Sequence, residues 1–365
     1  MKKDNLLIVG AFPSSRSKII GGLITDCRML LKSSLSQKFN FIKIDSTQIS
    51  NPPPNIFIRA IHALKKIIIL LFKIIIYRPK VALLFVAVGA SVLEKSLMII
   101  ICKFFGISSL IFPRGGRLID DYYESKFMRF VCNKFLSKAD IFCCQGRRFQ
   151  DFAINKLNYK ISKTPIIPNW TASQELLSLK NNCDPNDNNI LFIGWLEEFK
   201  GIKELMQAIL KLKKSGYKFK LSIAGDGNLF SYTAKFVRDN DLQNYVELLG
   251  WVSQKKMLPT LSCHDIFVLP SWEEGFPNSL VEAMSAGLAS IVTDVGMIKD
   301  FVEHEKHSLI IPPKSSDFIY ESLVLLIENK SLRKKLIKNS KNLSRQIFHV
   351  ENASKILERS ILELK

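Results

Sequence analysis

The chain has little of what a metal centre, a disulfide framework or a hydrolase nucleophile requires. Its five histidines, His62, His264, His304, His307 and His349, are scattered. His304 and His307 stand three apart, but no third ligand lies near them in sequence, so no metal is expected. Neither a GxSxG element nor a Walker A sequence occurs, which removes serine-elbow hydrolases and P-loop NTPases. The seven cysteines contain no CxxC pair, and Cys143-Cys144 lie in an apolar run. Buried thiols in a reducing cytoplasm are expected rather than disulfides. Uninterrupted apolar stretches are short: IIILLF (67–72) and IIIY (74–77) are split by Lys73. A membrane-spanning helix needs about 20 apolar residues, so none is expected. The apolar part of MKKDNLLIVG is also too short for a signal peptide. Acid is scarce as well, with 33 Asp+Glu against 52 Lys+Arg and a net charge of +19. That balance points to an anionic partner, whether nucleic acid, membrane or phosphorylated substrate.

What the chain does have is alternation. Apolar runs at 6–12, 41–44, 81–88, 108–113, 139–144 and 164–169, then at 189–194, 220–225, 246–250, 265–270, 289–294 and 308–312, read as strands. Several are apolar throughout, as strands buried on both faces of a parallel sheet are. Helical patterns separate them, among them 201–216, 317–329 and 331–345, giving an α/β fold with parallel sheets. At 365 residues two domains are the natural expectation. The Asn/Asp/Pro-rich stretch SLKNNCDPNDNN (178–189) marks the join. The expected division is 1–170, a linker at 171–188, 189–345, and a C-terminal helix at 346–365 packing back toward the first domain.

One segment, 51–80, is both apolar and basic. Arg59, His62, Lys66 and Lys73 fall near one helical face, with Ile and Leu around the rest. It reads either as a helix lying on an anionic membrane surface or as a core helix with a solvated basic edge.

The chemistry concentrates after strand ends. EGFPNSLVE places Glu274 in a strand-to-helix loop and Glu282 about two turns inside the following helix, near its N-terminus. Such an end offers N–H groups to an anion, while carboxylates accept hydrogen bonds from sugar hydroxyls. A ligand carrying both phosphate and hydroxyls suits the pair. Lys200-Gly201 opens a helix after the strand ending at Gly194, where a lysine can neutralise phosphate. A solvated surface lysine is the plainer reading. AGDGN (224–228) lacks the third glycine of a dinucleotide fingerprint, and Asp226 reads most simply as a helix cap. PSSRSKIIGGL (13–23) brings Arg16, Lys18, Gly21 and Gly22 to the first strand's end, and FPRGGRL (112–118) brings Arg114 and Gly115 to another. Loops so placed carry function often, although either is compatible with an ordinary turn.

EGFPNSLVEAMSAG resembles the E-x7-E segment of the retaining family-4 glycosyltransferases. GWLEEFKG, SIAGDGN, ELLGWVS and IIPP follow the order of that family's C-terminal domain. The resemblance implies a GT-B fold, two Rossmann-like domains with parallel sheets facing a central cleft, and a nucleotide-diphosphate sugar as donor. By position, Glu274 would bind donor-sugar hydroxyls, Glu282 the ribose, and Lys200 the departing diphosphate. Gly275, Phe276, Pro277, Asn278 and Ser279 would present the loop to sugar and diphosphate. Gly225, Asp226 and Gly227 would lie near the base, and Gly21 and Gly22 would approach the diphosphate from the other domain. Trp195 stands where many relatives carry a second phosphate-binding Arg; Arg16, Lys18 or Arg114 is then a substitute cation.

The resulting expectation is a retaining glycosyltransferase without metal or cofactor, acting on a glycan acceptor, lipid-linked, in bacterial surface polysaccharide synthesis. It would be cytoplasmic and peripheral at the inner face of the membrane, touching anionic lipid through its basic N-terminal domain, with no nucleic-acid partner. The alternatives are a nucleotide-sugar epimerase on the same fold and a non-catalytic membrane-associated subunit of a polysaccharide assembly complex.

Overall fold

The computed structural model describes residues 3–13, 21–48, 54–180 and 188–364. It divides into two compact units, Met1–Thr171 with Val350–Lys365, and Ala172–His349. The second unit therefore begins inside the stretch expected as a linker, and the chain returns to the first unit at Val350. The two crossings run side by side, since the Ala172 N–H donates to the Phe348 carbonyl at 3.1 Å.

In the first unit, β1 (Asp4–Gly10), β2 (Phe39–Asp45), β3 (Val81–Val86), β4 (Ser108–Pro113) and β5 (Ile141–Phe142) form a parallel sheet in the order β2-β1-β3-β4-β5. The helices here are α1 (Gly22–Lys32), α2 (Leu35–Lys38), α3 (Ile56–Tyr77), α4 (Ala90–Phe104), α5 (Arg117–Glu124), α6 (Lys126–Lys134) and α7 (Arg147–Leu157). The second unit holds α8 (Gln174–Leu177), α9 (Ile202–Lys214), α10 (Phe230–Asp239), α11 (Gln254–Ser262), α12 (Asn278–Ala286), α13 (Ser316–Glu328) and α14 (Lys330–Gln346). Its strands β6 (Asn189–Ile193), β7 (Lys220–Ala224), β8 (Val246–Gly250), β9 (Ile266–Leu269), β10 (Ala289–Thr293) and β11 (Leu309–Ile311) run parallel in the order β11-β10-β9-β6-β7-β8. The last helix, α15 (Val350–Leu362), sets Ala353, Leu357 and Ile361 into the core of the first unit beside Ile24, Cys27 and Leu30 of α1.

The apolar runs become strands because both of their faces are covered. Every residue of β3, β9 and β10 is buried. Helix α9 buries Ile202, Leu205, Met206, Ile209 and Leu212, one stripe at helical spacing. The stretch 164–169 differs from expectation. It makes only an isolated bridge, Cys144 to Ile166, because Pro165 and Pro168 lack the N–H groups that a ladder needs. Cys27, Cys102 and Cys132 are buried, and burial pushes each thiol up to about 12. Cys263 is exposed instead, and Cys183 lies outside the described residues.

In each sheet the chain first builds outward in one direction and then crosses back to build in the other. The reversal falls between β1 and β3 in the first unit and between β6 and β9 in the second. Loops at the carboxyl ends of strands flanking such a reversal cannot fill the space between them, which is where open α/β sheets bind ligands. Right-handed crossovers also put α1 on one face of the first sheet and α3, α4 and α6 on the other.

Candidate active site at the sheet reversal of the second unit

Two loops meet at the reversal, one leaving β6 and one leaving β9. The β6 loop passes Gly194 and Trp195, makes a tight turn over Glu198–Lys200, and enters α9 at Gly201. Gly201 has φ +68°, and a Cβ there would sit 2.1 Å from the Pro270 carbonyl oxygen. Only glycine allows the β6 loop to lie this close to the end of β9. A backbone bond from Trp272 N–H to the Phe199 carbonyl, 2.7 Å, fastens the loops together. The result is contact between the two predicted residues: Lys200 Nζ lies 2.5 Å from Glu274 Oε1. Their side chains are 15% and 11% exposed. Ser271 Oγ donates to the same carboxylate oxygen at 2.8 Å. Thr293 Oγ1 in turn donates to the Ser271 carbonyl at 2.5 Å, tying the loop to the end of β10.

Beyond Glu274 the loop is held on its far side. The Gly275 carbonyl accepts from Met297 N–H at 3.0 Å. Gly296, at φ +62°, lies so near that a Cβ would be 2.3 Å from the Glu274 and Gly275 carbonyl oxygens. Phe276 is buried against Phe301 and Phe348, so it anchors the loop rather than offering its ring to a ligand. Pro277 precedes α12 in extended conformation, and no side chain caps that helix. Asn278 and Ser279 are its first residues and are half-buried. Glu282 lies four positions after Asn278, one turn into α12 rather than two. It is half-buried.

The ends of β6, β7 and β8 form the other flank. A Cβ on Gly225 would meet the Gly194 carbonyl oxygen at 1.8 Å, and one on Gly227 would meet Leu196 backbone atoms at 2.8 to 3.0 Å. The two loops are packed backbone on backbone. Asp226 is exposed and accepts from the Gly227 N–H at 2.8 Å. It does not cap α10, which starts four residues later with Leu229 at its N-cap; the intervening Gly227-Asn228 is held by Glu197, 2.9 Å from Asn228 Nδ2. Trp195 packs against Trp251, with ring centroids 5.6 Å apart. Ser271 and Trp251 were absent from the sequence expectation. Both directly follow a strand end, in LPSWEEG and LLGWVS, and that position was the available signal.

The residues proposed in the first unit fare differently. Arg114 is paired within the unit. Its guanidinium lies 2.5 Å from Asp26 Oδ2, with side chains 4% and 2% exposed, and sits over the rings of Phe112 and Trp170. The pair ties α1 to the sheet, while Arg114 Nε and Nη1 are buried without a hydrogen-bond partner among the described residues. Gly115 is half-buried, and a Cβ there would touch Val88 Cγ1 at 2.7 Å. Gly21 and Gly22 open α1 without a side-chain cap. Gly21 is extended, and among the described residues nothing stands within 4 Å of where a Cβ would point. Arg16 and Lys18 lie outside the described residues. Among the described residues no group of three or more His, Cys, Asp or Glu is placed to hold a metal. The Nδ1 atoms of His304 and His307 accept from the N–H groups of Ile310 and Glu303.

Known proteins share this architecture. The sucrose-phosphate synthase of Thermosynechococcus elongatus superposes with a TM-score of 0.80 at 15% identity, over 99% of both chains. The lipopolysaccharide outer core galactosyltransferase WaaB superposes with a TM-score of 0.69 at 16% identity, over 98% of this chain and 99% of that one. The fold is that of the GT-B glycosyltransferases. Residues 173–343, nearly all of the second unit, match the family model of the glycosyl transferases group 1. Among curated relatives, the uncharacterized glycosyltransferase MJ1178 of Methanocaldococcus jannaschii is 27% identical over 92% of both chains. MJ1607 of the same organism is also 27% identical, over 50% of this chain; the chain spans about half of that relative, 47%. The N,N'-diacetylbacillosaminyl-diphospho-undecaprenol alpha-1,3-N-acetylgalactosaminyltransferase of Campylobacter jejuni is 31% identical over 64% of each chain. Residues 173–343 thus resemble the glycosyl transferases group 1, and the chain has the GT-B fold.

Proposed function

We propose that the protein transfers a sugar from a nucleotide-diphosphate sugar to a glycan acceptor, with retention at the anomeric carbon, as in the family-4 enzymes its E-x7-E segment resembles. The observation that carries this reading is the Lys200–Glu274 pair at the sheet reversal, beside the uncapped N-terminus of α12. Breaking the bond between the anomeric carbon and the phosphate oxygen leaves negative charge on the diphosphate. The Lys200 ammonium and the N-terminal end of α12 supply positive potential where that charge develops. Glu274 accepts a hydrogen bond from a donor-sugar hydroxyl, and Ser271 steadies the carboxylate for that role. Glu282 binds the ribose. In this reading the acceptor hydroxyl attacks from the side of the leaving group and gives its proton to the departing phosphate oxygen. The acceptor side draws on the relatives: the Campylobacter enzyme is named for a diphospho-undecaprenol-linked substrate and WaaB for the lipopolysaccharide outer core. A lipid-linked glycan of a bacterial surface polysaccharide is the acceptor class we assign.

A thermal-shift panel of nucleotide sugars tests the donor, since a ligand of the folded state raises its melting temperature. The expected result is a rise for one nucleotide sugar that disappears in Glu274→Ala. Proton NMR of the product then reads the anomeric configuration. A protein that no nucleotide sugar stabilises, or an inverted product, overturns the corresponding half of the reading.

A further inference from the structure

We propose that the outer face of α3 and α4 in the first unit docks on an anionic lipid bilayer, with both helices lying in the interface rather than crossing it. Helix α3 buries only Leu70 and Ile74 fully. On its other side Phe57, Ile61, Leu64, Ile68, Phe72 and Ile75 are all exposed. Their spacing of three and four residues makes them one continuous ridge along 22 residues. Next to it α4 exposes Leu97 and Phe104, the latter 84% exposed. The Lys66–Glu94 ion pair, 2.8 Å, bridges the two helices. An apolar surface of this extent on a soluble fold marks an interaction site.

Charge selects the partner. The 22 residues of α3 contain four cations, Arg59, Lys65, Lys66 and Lys73, and no acid. The sequence pattern sets Arg59, His62, Lys66 and Lys73 near one face, and the structure engages two of these cations internally. Lys66 is paired with Glu94, and Lys73 donates to the Lys43 carbonyl. The surface that remains is the apolar ridge, flanked by exposed Lys65 and Arg78, and by Lys103 on α4. Apolar side chains rimmed by cations match the acyl and phosphate layers of an anionic leaflet. A second copy of the chain would fit poorly, because a two-fold contact through this face brings cations toward cations. No helix among the described residues is long and apolar enough to cross a membrane, so insertion stays shallow.

The test is co-sedimentation of the full chain with phosphatidylcholine vesicles, with or without about one third phosphatidylglycerol. Wild type should bind the anionic vesicles and be released by salt. Ile61→Glu with Ile68→Glu should abolish binding; both positions are more than half exposed, so the melting temperature should not change. Lys65→Glu with Lys103→Glu should weaken binding by about thirtyfold or more. Equal binding to neutral and anionic vesicles, or wild-type binding by Ile61→Glu/Ile68→Glu, overturns the proposal. So does a solution dimer that this double variant dissolves, which would make the face a protein interface. Stabilisation by nucleotide sugars should be the same in these variants as in wild type, so a failed donor site and a failed docking face give separable results.

Discussion

The ion pair of Lys200 and Glu274 has two readings, as a structural clasp or as binding machinery, and a double-mutant cycle separates them. At 2.5 Å and an effective dielectric of about 20, their attraction is about 6–7 kcal/mol. Removing both groups from most of their water offsets several kcal/mol per ion. Because both side chains keep some exposure, a net coupling of about 1–3 kcal/mol remains. Lys200→Met should therefore destabilise the fold by about 1–3 kcal/mol, since Glu274 is left near-buried with Ser271 as its remaining donor at 2.8 Å. Glu274→Gln should cost a similar amount through the stranded ammonium. The double variant removes both charges and should recover most of the loss, with a coupling energy of that size and favourable sign. Transfer activity should not recover. Each single variant is expected to lose at least about a hundredfold in kcat/KM, because preorganised charge at a developing diphosphate is worth about 3–4 kcal/mol. Urea denaturation supplies the stability arm and product formation from the donor supplies the other. If the double variant regains activity together with stability, the pair is a clasp and the assignment of both residues is wrong.

The glycine contacts make a second test. Gly225→Ala should cost about 3 kcal/mol or more, because its Cβ would sit 1.8 Å from the Gly194 carbonyl oxygen and the neighbouring backbone has nowhere to go. Gly21→Ala, at an extended residue where nothing among the described residues stands within 4 Å of the added Cβ, should cost no more than about 1 kcal/mol; thermal melts of the two variants compare them directly. A third concerns acid. Burial holds His264 and His307, both buried, below the usual imidazole value. The unfolded chain therefore binds protons at pH values where the folded protein does not. Stability should be highest above about pH 6.5 and fall as pH drops below it, by up to about 1.4 kcal/mol per pH unit for each histidine. His264→Gln should flatten that slope between pH 5 and 7, measured as the urea midpoint against pH; an unchanged slope removes His264 from the account.

How much of this was readable beforehand depended on the range of the interactions. The strands of the second unit were legible because each is a short apolar run closed by Gly, Pro or Asp, and burial on both faces leaves little else for such a run to be. The placement of Lys200 and Glu274 was legible for a related reason: both directly follow strand ends, and in a parallel sheet all strand ends of one kind share an edge. That the two touch was not legible, since it rests on the contact of Gly201 with Pro270, 69 residues apart by their numbers. Nor was the pairing of Arg114 legible, because its partner Asp26 lies 88 positions away. A basic loop at a strand end looks the same in sequence whether its arginine faces solvent or a buried carboxylate. The same limit applies to α3. Its composition is apolar nearly all round, so pattern alone could not say which side the sheet covers; packing against β2 and α4 decided that, and left the ridge outside.

The site's rigidity and the Lys200–Glu274 pair together constrain what can bind. Gly201 on Pro270, Gly225 on Gly194, Gly227 on Leu196 and Gly296 on Glu274 are backbone-to-backbone contacts at the ends of neighbouring strands. They leave the loops little room to rearrange, so a ligand must meet the charges where they stand. An anion that draws Lys200 away leaves Glu274 without its cation, and a sugar hydroxyl that takes Glu274 leaves Lys200 without its carboxylate. Either alone loses part of what it gains. A molecule that presents phosphate and hydroxyl at once replaces both halves of the pair. The expected consequence is that a nucleotide-diphosphate sugar stabilises the wild type more than the nucleoside diphosphate and the free sugar do together. In Glu274→Gln that advantage should shrink, because a neutral amide needs no such replacement. Calorimetric titration of the three ligands into both proteins measures it, and strictly additive affinities in the wild type would show that the pair does not govern recognition.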